Sequence, residues 1–363
     1  MTAPLTLVDL RHFAVARSLF GPTTLLAAIE RLGFLQADPI RAPARAQDLI
    51  LRPRVVDYRA GQLEAAYAEL PVEEDFYVNY GFIPRATQRL MLPRKPRRPW
   101  SATSARRAKL ILAFVQSHGE VHPRTVDAHF VHGSVINYWG GTSNATTHLL
   151  DAMHYRGLLR VARRERGVRI YAPAEPAAPA SRAARKLALD RLVDVIVGTY
   201  APLPALSLNA LLSRLRFAAP QWLSDLRPAI ARAKLRLAHA LVEGVRWYWP
   251  ADEKPEAARE RELGLTLLAP FDPVVWDRRR FELFWGWPYR FEAYTPLAKR
   301  QFGYYALPLL WRGRALGWAN LRAAHGELVP ELGFAAGKPP RDRGFRAALD
   351  AELTRLRTFL SPD

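Results

Sequence analysis

The sequence predicts an α+β protein: three successive units of helices closed by a β-hairpin, then a small β-rich, barrel-like domain. Three observations predict it. A helix, helix, helix, strand–turn–strand order recurs along the first two thirds of the chain. Two proline-rich linkers interrupt it, Pro93 to Ser104 with many arginines and Ala172 to Ser181 with many alanines, the second extended. Beyond Pro255 the composition shifts to aromatic, strand-like runs. The expected boundaries are 1–98, 99–178, 179–258 and 259–363.

The second unit is the clearest. Ala105 to Ser117 is amphipathic, with Leu110, Ile111, Phe114 and Val115 on one side, and His118-Gly119 stops it. Pro123 to Phe130 forms a second helix. Asn144 to Arg156 forms a third, with Leu149, Leu150 and Met153 apolar and Gly157 at its end. Leu158 to Arg163 and Val168 to Tyr171 are strands joined by the turn Arg164-Glu165-Arg166-Gly167. Three helices and a hairpin make the winged-helix plan, a variant of the helix-turn-helix. So the fold class is three tandem winged-helix units before a barrel-like domain.

The third unit repeats the order with helices at Ala188 to Val197, Ser207 to Arg214 and Ala219 to Ala233, the last breakable at Pro228. Leu235 to Leu241 and Val245 to Trp249 pair across Glu243-Gly244. The first unit is less regular. Leu7 to Ser18 and Thr23 to Leu32 are helices, Phe34 to Ile40 starts a strand, and Leu49 to Val55 is its expected partner. In the last domain Phe302 to Leu310 and Ala315 to Leu321 read as strands of a small barrel over Leu265 to Gly333. Arg341 to Phe359 closes the chain as a helix, with Phe345, Leu349, Leu353 and Leu356 apolar.

The 363 residues carry a net charge of +19. Such a balance points to an anionic partner: nucleic acid first, an anionic membrane surface second. A genome-wide bias toward Ala, Arg and Pro is the plainer alternative. There is no cysteine, which excludes disulfides, thiol nucleophiles and cysteine-ligated metals. Met1 to Leu10 has no apolar core of a signal peptide, and no run of 18 apolar residues occurs. A cytoplasmic, nucleoid-associated location without membrane contact is expected.

The positive charge is clustered. Arg89 to Lys109 holds eight basic residues and no acid, and Arg156 to Arg169 holds six arginines against Glu165. Arginine forks match phosphate bidentately, so these stretches suit a phosphate-lined channel, against the plainer reading of solvated faces. The expected DNA contacts are Arg41, Arg45, Arg52, Arg54, Arg85, Arg94, Lys95, Arg97, Arg163, Arg164 and Arg166, with Arg278, Lys299 and Arg300 from the last domain. Tyr77, Asn79 and Tyr80 could wall a base pocket, although core packing is the commoner use of such aromatics. Trp276, Trp285, Trp287 and Trp318 read as barrel core. His118, His122, His129 and His132 lie close in sequence, but no HExxH or regular ligand pair accompanies them, and no metal is expected. The chain has no GxSxG elbow, no GxGxxG and no Walker loop, so no cofactor is expected either.

One short stretch carries chemistry. Gly33 ends a helix, and Phe34 to Ile40 is extended, with Pro39 pushing Asp38 further that way. Residues two apart in extended chain share a face, so Gln36 and Asp38 point together and Ala37 turns away. An amide beside a carboxylate can position and activate one water. The plainer readings are a polar strand face, or Asp38 acting as a turn former before Pro39.

Three segments resemble the YcaQ/AlkZ-like winged-helix DNA glycosylase family, which acts in alkylpurine and interstrand-crosslink repair. Leu267 to Arg278 reads LLAPFDPVVWDR and Tyr294 to Pro308 reads YTPLAKRQFGYYALP; both are long and specific. Leu32 to Asp38, LGFLQAD, is similar to the family's Gln-apolar-Asp motif. The resemblance runs from about Leu10 to the C-terminus. Two stretches depart from the family's pattern: Pro39 to Gln47, and Phe76 to Pro84, which lacks a histidine. The resemblance implies hydrolysis of the N-glycosidic bond of N7-alkylguanine-type purines in double-stranded DNA, by a monomer with Gln36 and Asp38 catalytic. No lysine stands beside the pair for a Schiff base, so a monofunctional enzyme is expected. A winged-helix regulator or architectural DNA-binding protein without activity is the alternative reading, and an RNA- or nucleotide-binding protein a third.

Overall fold

The computed structural model describes residues 4–96, 98–136, 141–178, 181–255, 264–324 and 327–361. The chain forms two compact units. One gathers three stretches: the chain up to Leu63, Val193–Leu212, and everything from Ile230 on. The other holds Glu64–Leu192 and Ser213–Ala229.

In the second of these the expected order at 105–171 is present. Helix Ala102–His118 is capped by Ser101, whose hydroxyl accepts from the Ser104 N–H. It buries Ala108, Ile111 and Val115, while Leu110, one step of about 100° away, is exposed. Phe114, half-buried, stacks on His118 at 4.0 Å and lies tilted against His129 at 4.6 Å. Helix Pro123–Phe130 starts on Pro123 with His122 as its cap, and helix Ala145–Tyr155 buries Leu149, Leu150 and Met153. Strands Leu159–Glu165 and Val168–Pro173 pair across Arg166-Gly167. Both turn residues have positive φ, 50° and 85°, the geometry of a two-residue turn whose twist suits a hairpin. Val121 adds a bridge to Tyr171. Two further hairpins were not expected: Val72–Phe76 with Tyr80–Pro84, and Ser134–Ile136 with Thr142–Asn144.

In the first unit, helix Leu7–Ser18 opens with a reciprocal Thr6–Asp9 capping box. Helix Leu25–Leu32 is capped by Thr24 and stops at Gly33, φ 70°. A β-carbon on Gly33 would sit 2.8 Å from Val195 Cγ1, so Gly33 supplies both a left-handed turn and close approach. Gly33→Ala is expected to cost about 1 kcal/mol or more of stability, measured by urea unfolding, because neither the φ nor the space suits a methyl. The strand that follows is only Leu35–Gln36, and the expected partner at 49–55 is instead helix Ala46–Leu51. Its residues Leu49, Ile50 and Leu51 are buried on several sides, which an alternating strand would not allow.

Helix Leu223–Arg236 runs unbroken through Pro228. Strands Ala238–Val242 and Val245–Trp249 pair as expected, and Leu203–Pro204 adds a third strand. The C-terminal sheet has the order Thr266–Leu267, Leu307–Trp311, Arg314–Ala324, Glu327–Phe334. Among the described residues it is an open sheet, so the barrel-like closure expected of this domain is not seen. Val15 of the first helix and Leu19, its C-cap, pack in one cluster with Leu268, Val274, Val275, Phe281, Trp287, Tyr289 and Phe302. Helix Gly344–Leu360 closes over the unit with Phe345, Leu349, Leu353, Leu356 and Phe359 buried. Among the described residues no helix is long and apolar enough to cross a membrane.

Candidate active site

Gly33 aims the chain into Leu35–Gln36, and the helix Ala46–Leu51 returns alongside it. Gln36 is 4% exposed and Asp38 8%, with Ala37 between them less buried. The Trp276 indole N–H donates to Gln36 Oε1 at 2.7 Å. That bond settles which end of the amide is which: the oxygen is engaged, and the NH2 has no partner among the described residues. Asp38 Oδ1 accepts from the Ile40 N–H at 2.9 Å, the turn-forming role expected of an aspartate before proline. Its other oxygen has no partner among the described residues. The Asp38 N–H points to Gln47 Oε1 at 3.4 Å. So one side-chain donor and one carboxylate oxygen are uncommitted, two residues apart.

Burial pushes the Asp38 carboxyl above the usual carboxylate range, and the Ile40 N–H offsets only part of that. Among the described residues no cation is near enough to lower it. The Asp38 charge in turn reaches Tyr294 and Tyr305, whose hydroxyls are both raised, by burial first and by Asp38 next. Tyr294 is 79% exposed and Tyr305 only 3%. Phe291 joins them, its ring edge-on to Tyr305 at 5.4 Å and to Tyr294 at 6.0 Å. Beside Tyr305 opens a cleft of about 560 Å³ that also meets Ala42, Arg300 and Tyr304.

Trp276, Tyr294 and Tyr305 were not expected at the site. Trp276 had been grouped with Trp285, Trp287 and Trp318 as core; those three do pack with Phe281 and Phe302, but Trp276 is half-buried, 5.3 Å from Tyr200, and bonded to Gln36. The available signal was their place in the two long motifs, LLAPFDPVVWDR and YTPLAKRQFGYYALP.

The expected base pocket is used internally. Tyr77 is 1% exposed and its hydroxyl donates to the Leu192 carbonyl. Tyr80 donates to Glu74 at 2.9 Å under the Arg169 guanidinium, and Asn79 Oδ1 accepts from the Tyr80 N–H. Glu74 is buried, which raises its carboxyl, yet the forked Arg164 holds it below the ordinary range.

Several expected phosphate contacts are corrected by this interior. Arg54 is fully buried, forked onto Asp272 at 2.8 and 3.1 Å, with further bonds to the Ser18 and Ile50 carbonyls. Arg94 is buried on Asp75 at 2.8 and 3.0 Å, and Arg52 on Glu352. Arg278 donates to the Val275 and Pro270 carbonyls and lies over Tyr289 at 4.6 Å, and burial lowers its pKa. Each is inward because a carboxylate or a set of carbonyls repays its desolvation there. Arg85 pairs with Glu73, Arg164 with Glu74, and the exposed Arg163 with Glu120 and Glu165. Arg300 donates to the Thr295 carbonyl and covers Tyr304. Arg41, Lys95, Arg166 and Lys299 are exposed, Arg45 is half-buried, and Arg97 lies outside the described residues.

The chain matches the family described as DNA glycosylase AlkZ-like over residues 29–359. Among solved structures it is similar to the Streptomyces sahachiroi DNA glycosylase AlkZ, with a TM-score of 0.61 over 98% of this chain and 97% of that one, at 14% identity. At that identity the likeness is one of fold, a mixed α+β architecture of helices and antiparallel sheets. The match takes in Gln36 and Asp38 at one end and Trp276, Tyr294 and Tyr305 at the other, and the chain belongs to the AlkZ-like DNA glycosylase family.

Proposed function

We propose that this DNA glycosylase is monofunctional, acts as a cytoplasmic monomer on double-stranded DNA, and hydrolyses the N-glycosidic bond of N7-alkylguanine-type purines, interstrand crosslinks of that chemistry included. The observation that carries the reading is the pairing of one uncommitted Asp38 oxygen with one uncommitted Gln36 NH2 in a buried site. Alkylation at N7 places positive charge on the base and makes it a good leaving group. The remaining needs are a stabilised sugar cation and a placed water. Asp38 as an anion supplies the first and accepts the water proton. Gln36 donates to the water oxygen, because its own acceptor is held by Trp276. Water oxygen bonds to C1′, the C1′–N9 bond breaks, and its electron pair leaves with the base. With no lysine beside the pair, no Schiff base forms and the product is an intact abasic site.

Within this reading the helix-and-hairpin units serve as winged helices, and Arg41, Arg45, Lys95, Arg166, Lys299 and Arg300 meet phosphates. With roughly six such contacts, affinity should fall about 10³-fold between 50 and 200 mM salt, measured by fluorescence anisotropy on a duplex. A flat salt response removes the phosphate-contact part of the reading.

The deciding experiment is base release. Wild-type protein is incubated with a duplex carrying N7-methylguanine, and abasic sites are then cleaved by alkali. Release with strand cleavage only after alkali is expected. Tight, sequence-specific binding without release from any alkylated duplex would favour the regulator reading instead.

A further inference from the structure

The reaction above needs Gln36 as a donor, yet a free glutamine amide turns its oxygen to a water as readily as its NH2. What fixes the amide lies 240 residues further on. An indole has one N–H and no acceptor, so the 2.7 Å bond from Trp276 can be received only by the Gln36 oxygen. The indole is itself held from several sides. The Asp272 carboxylate accepts the Val274 N–H at 3.0 Å, and the Asp272 carbonyl accepts the Val275 and Trp276 N–H groups at 2.8 and 2.7 Å. The buried Arg54 fork pins that carboxylate at 2.8 and 3.1 Å. Arg278 joins the Val275 and Pro270 carbonyls at 2.6 and 2.9 Å, and the Tyr200 ring lies 5.3 Å from the indole. The charged residues Asp272 and Arg278 of the motif LLAPFDPVVWDR thus set where the Trp276 N–H points.

We propose that Trp276 is a positioning residue: its N–H holds the Gln36 amide in the one orientation that offers NH2, and not oxygen, to the water that Asp38 activates. A reversed amide would set a second acceptor beside the Asp38 carboxylate. The two would compete for the water's protons, and Gln36 would no longer donate to its oxygen. In the held orientation one lone pair of the water receives the Gln36 NH2, one proton faces Asp38, and the second lone pair is left to form the bond to C1′. Trp276 acts in this only through Gln36. The proposal rests on the reading of Gln36 as a donor to the attacking water.

The test is a double-mutant cycle of Trp276→Phe and Gln36→Ala, read as the saturating single-turnover rate of N7-methylguanine excision. Trp276→Phe keeps an aromatic ring and removes the N–H. Alone it should slow excision about 3- to 10-fold, the scale of one hydrogen bond, with duplex affinity unchanged. In the Gln36→Ala background it should slow excision no further. An equal loss in both backgrounds, the mark of a packing role, overturns the proposal, and so does a wild-type rate for Trp276→Phe while Gln36→Ala is slow. In both cases Gln36 keeps its role and only that of Trp276 fails. If Gln36→Ala itself excises at the wild-type rate, the Gln36 reading fails and takes this one with it. A readout independent of Trp276→Phe folding is the NMR spectrum of the ten indole N–H groups. Gln36→Ala should move one of them upfield, as loss of a hydrogen bond does, and a spectrum in which none moves overturns the proposal.

Discussion

Asp38→Asn should reduce base excision by about 10²-fold or more while leaving duplex affinity near the wild-type value. Asn keeps the size of the side chain and an oxygen for the Ile40 N–H, so the turn survives. It loses the negative charge and the basic oxygen. On the proposed reading phosphate contacts, not this pair, carry the affinity, so it should persist. Stability gives a second readout with a definite sign. The folded-state pKa of Asp38 is raised, so the ionised form is disfavoured by folding, and its cost grows as pH rises through that value. At neutral pH the Asn variant should therefore melt at or above wild type. The wild-type excision rate should rise with pH along a limb lying above the ordinary aspartate range, and Asp38→Asn should lack that limb. Normal excision by a normally folded Asp38→Asn protein would sink the assignment. Gln36→Ala should cost less, since Asp38 can still hold the water.

Arg54→Leu should destabilise the protein by about 3–5 kcal/mol, measured by urea unfolding, because it strands a fully buried carboxylate. Asp272 also accepts the Val274 N–H and caps the short helix Pro273–Trp276. Asp272→Asn keeps that cap and removes the charge. The double variant Arg54→Leu/Asp272→Asn should thus recover part of the loss, the Ser18 and Ile50 carbonyls remaining without their donor. A phosphate-contacting arginine would behave differently: the single variant would melt like wild type and bind DNA less tightly. Because Trp276 ends the segment that Arg54 anchors, excision by the folded fraction of Arg54→Leu should fall as well.

The difference between Arg54 and Arg41 marks what the sequence could convey. Both follow Gln36-Ala37-Asp38 in one basic run, and charge alone does not say which guanidinium meets a carboxylate 218 residues further on. Local signals carried further. The helix stop at Gly33, the hairpin at Arg166-Gly167 and the apolar stripe of the last helix depend on neighbouring residues, and all were readable. The strand expected at 49–55 failed because a buried helix and a buried strand share the same apolar run. The open sheet read as a barrel for a related reason, since closure is a property of distant strands. At the site, i and i+2 spacing brought Gln36 and Asp38 forward. Trp276 and Tyr305 arrive through tertiary contact, and in sequence they are marked only by membership in two long motifs.

The interleaving of the two compact units bears on how the protein is made. The first 63 residues emerge from the ribosome early, but their apolar partners do not. Val15 and Leu19 wait for Leu268 and Phe281, and Tyr58 waits for Phe359, against which it stacks at 6.2 Å. At translation speeds of about 5–20 residues per second, the interval to Phe359 is roughly 15–60 s. Until Leu268 and Phe281 are made, Val15 and Leu19 lack the cluster they join, and Tyr58 waits longer still. The unit built from Glu64–Leu192 and Ser213–Ala229 can condense meanwhile from residues close to one another in the nascent chain. The segment that carries Gln36 and Asp38 is thus packed late, and chaperone dependence and loss to proteolysis during synthesis should concentrate on it.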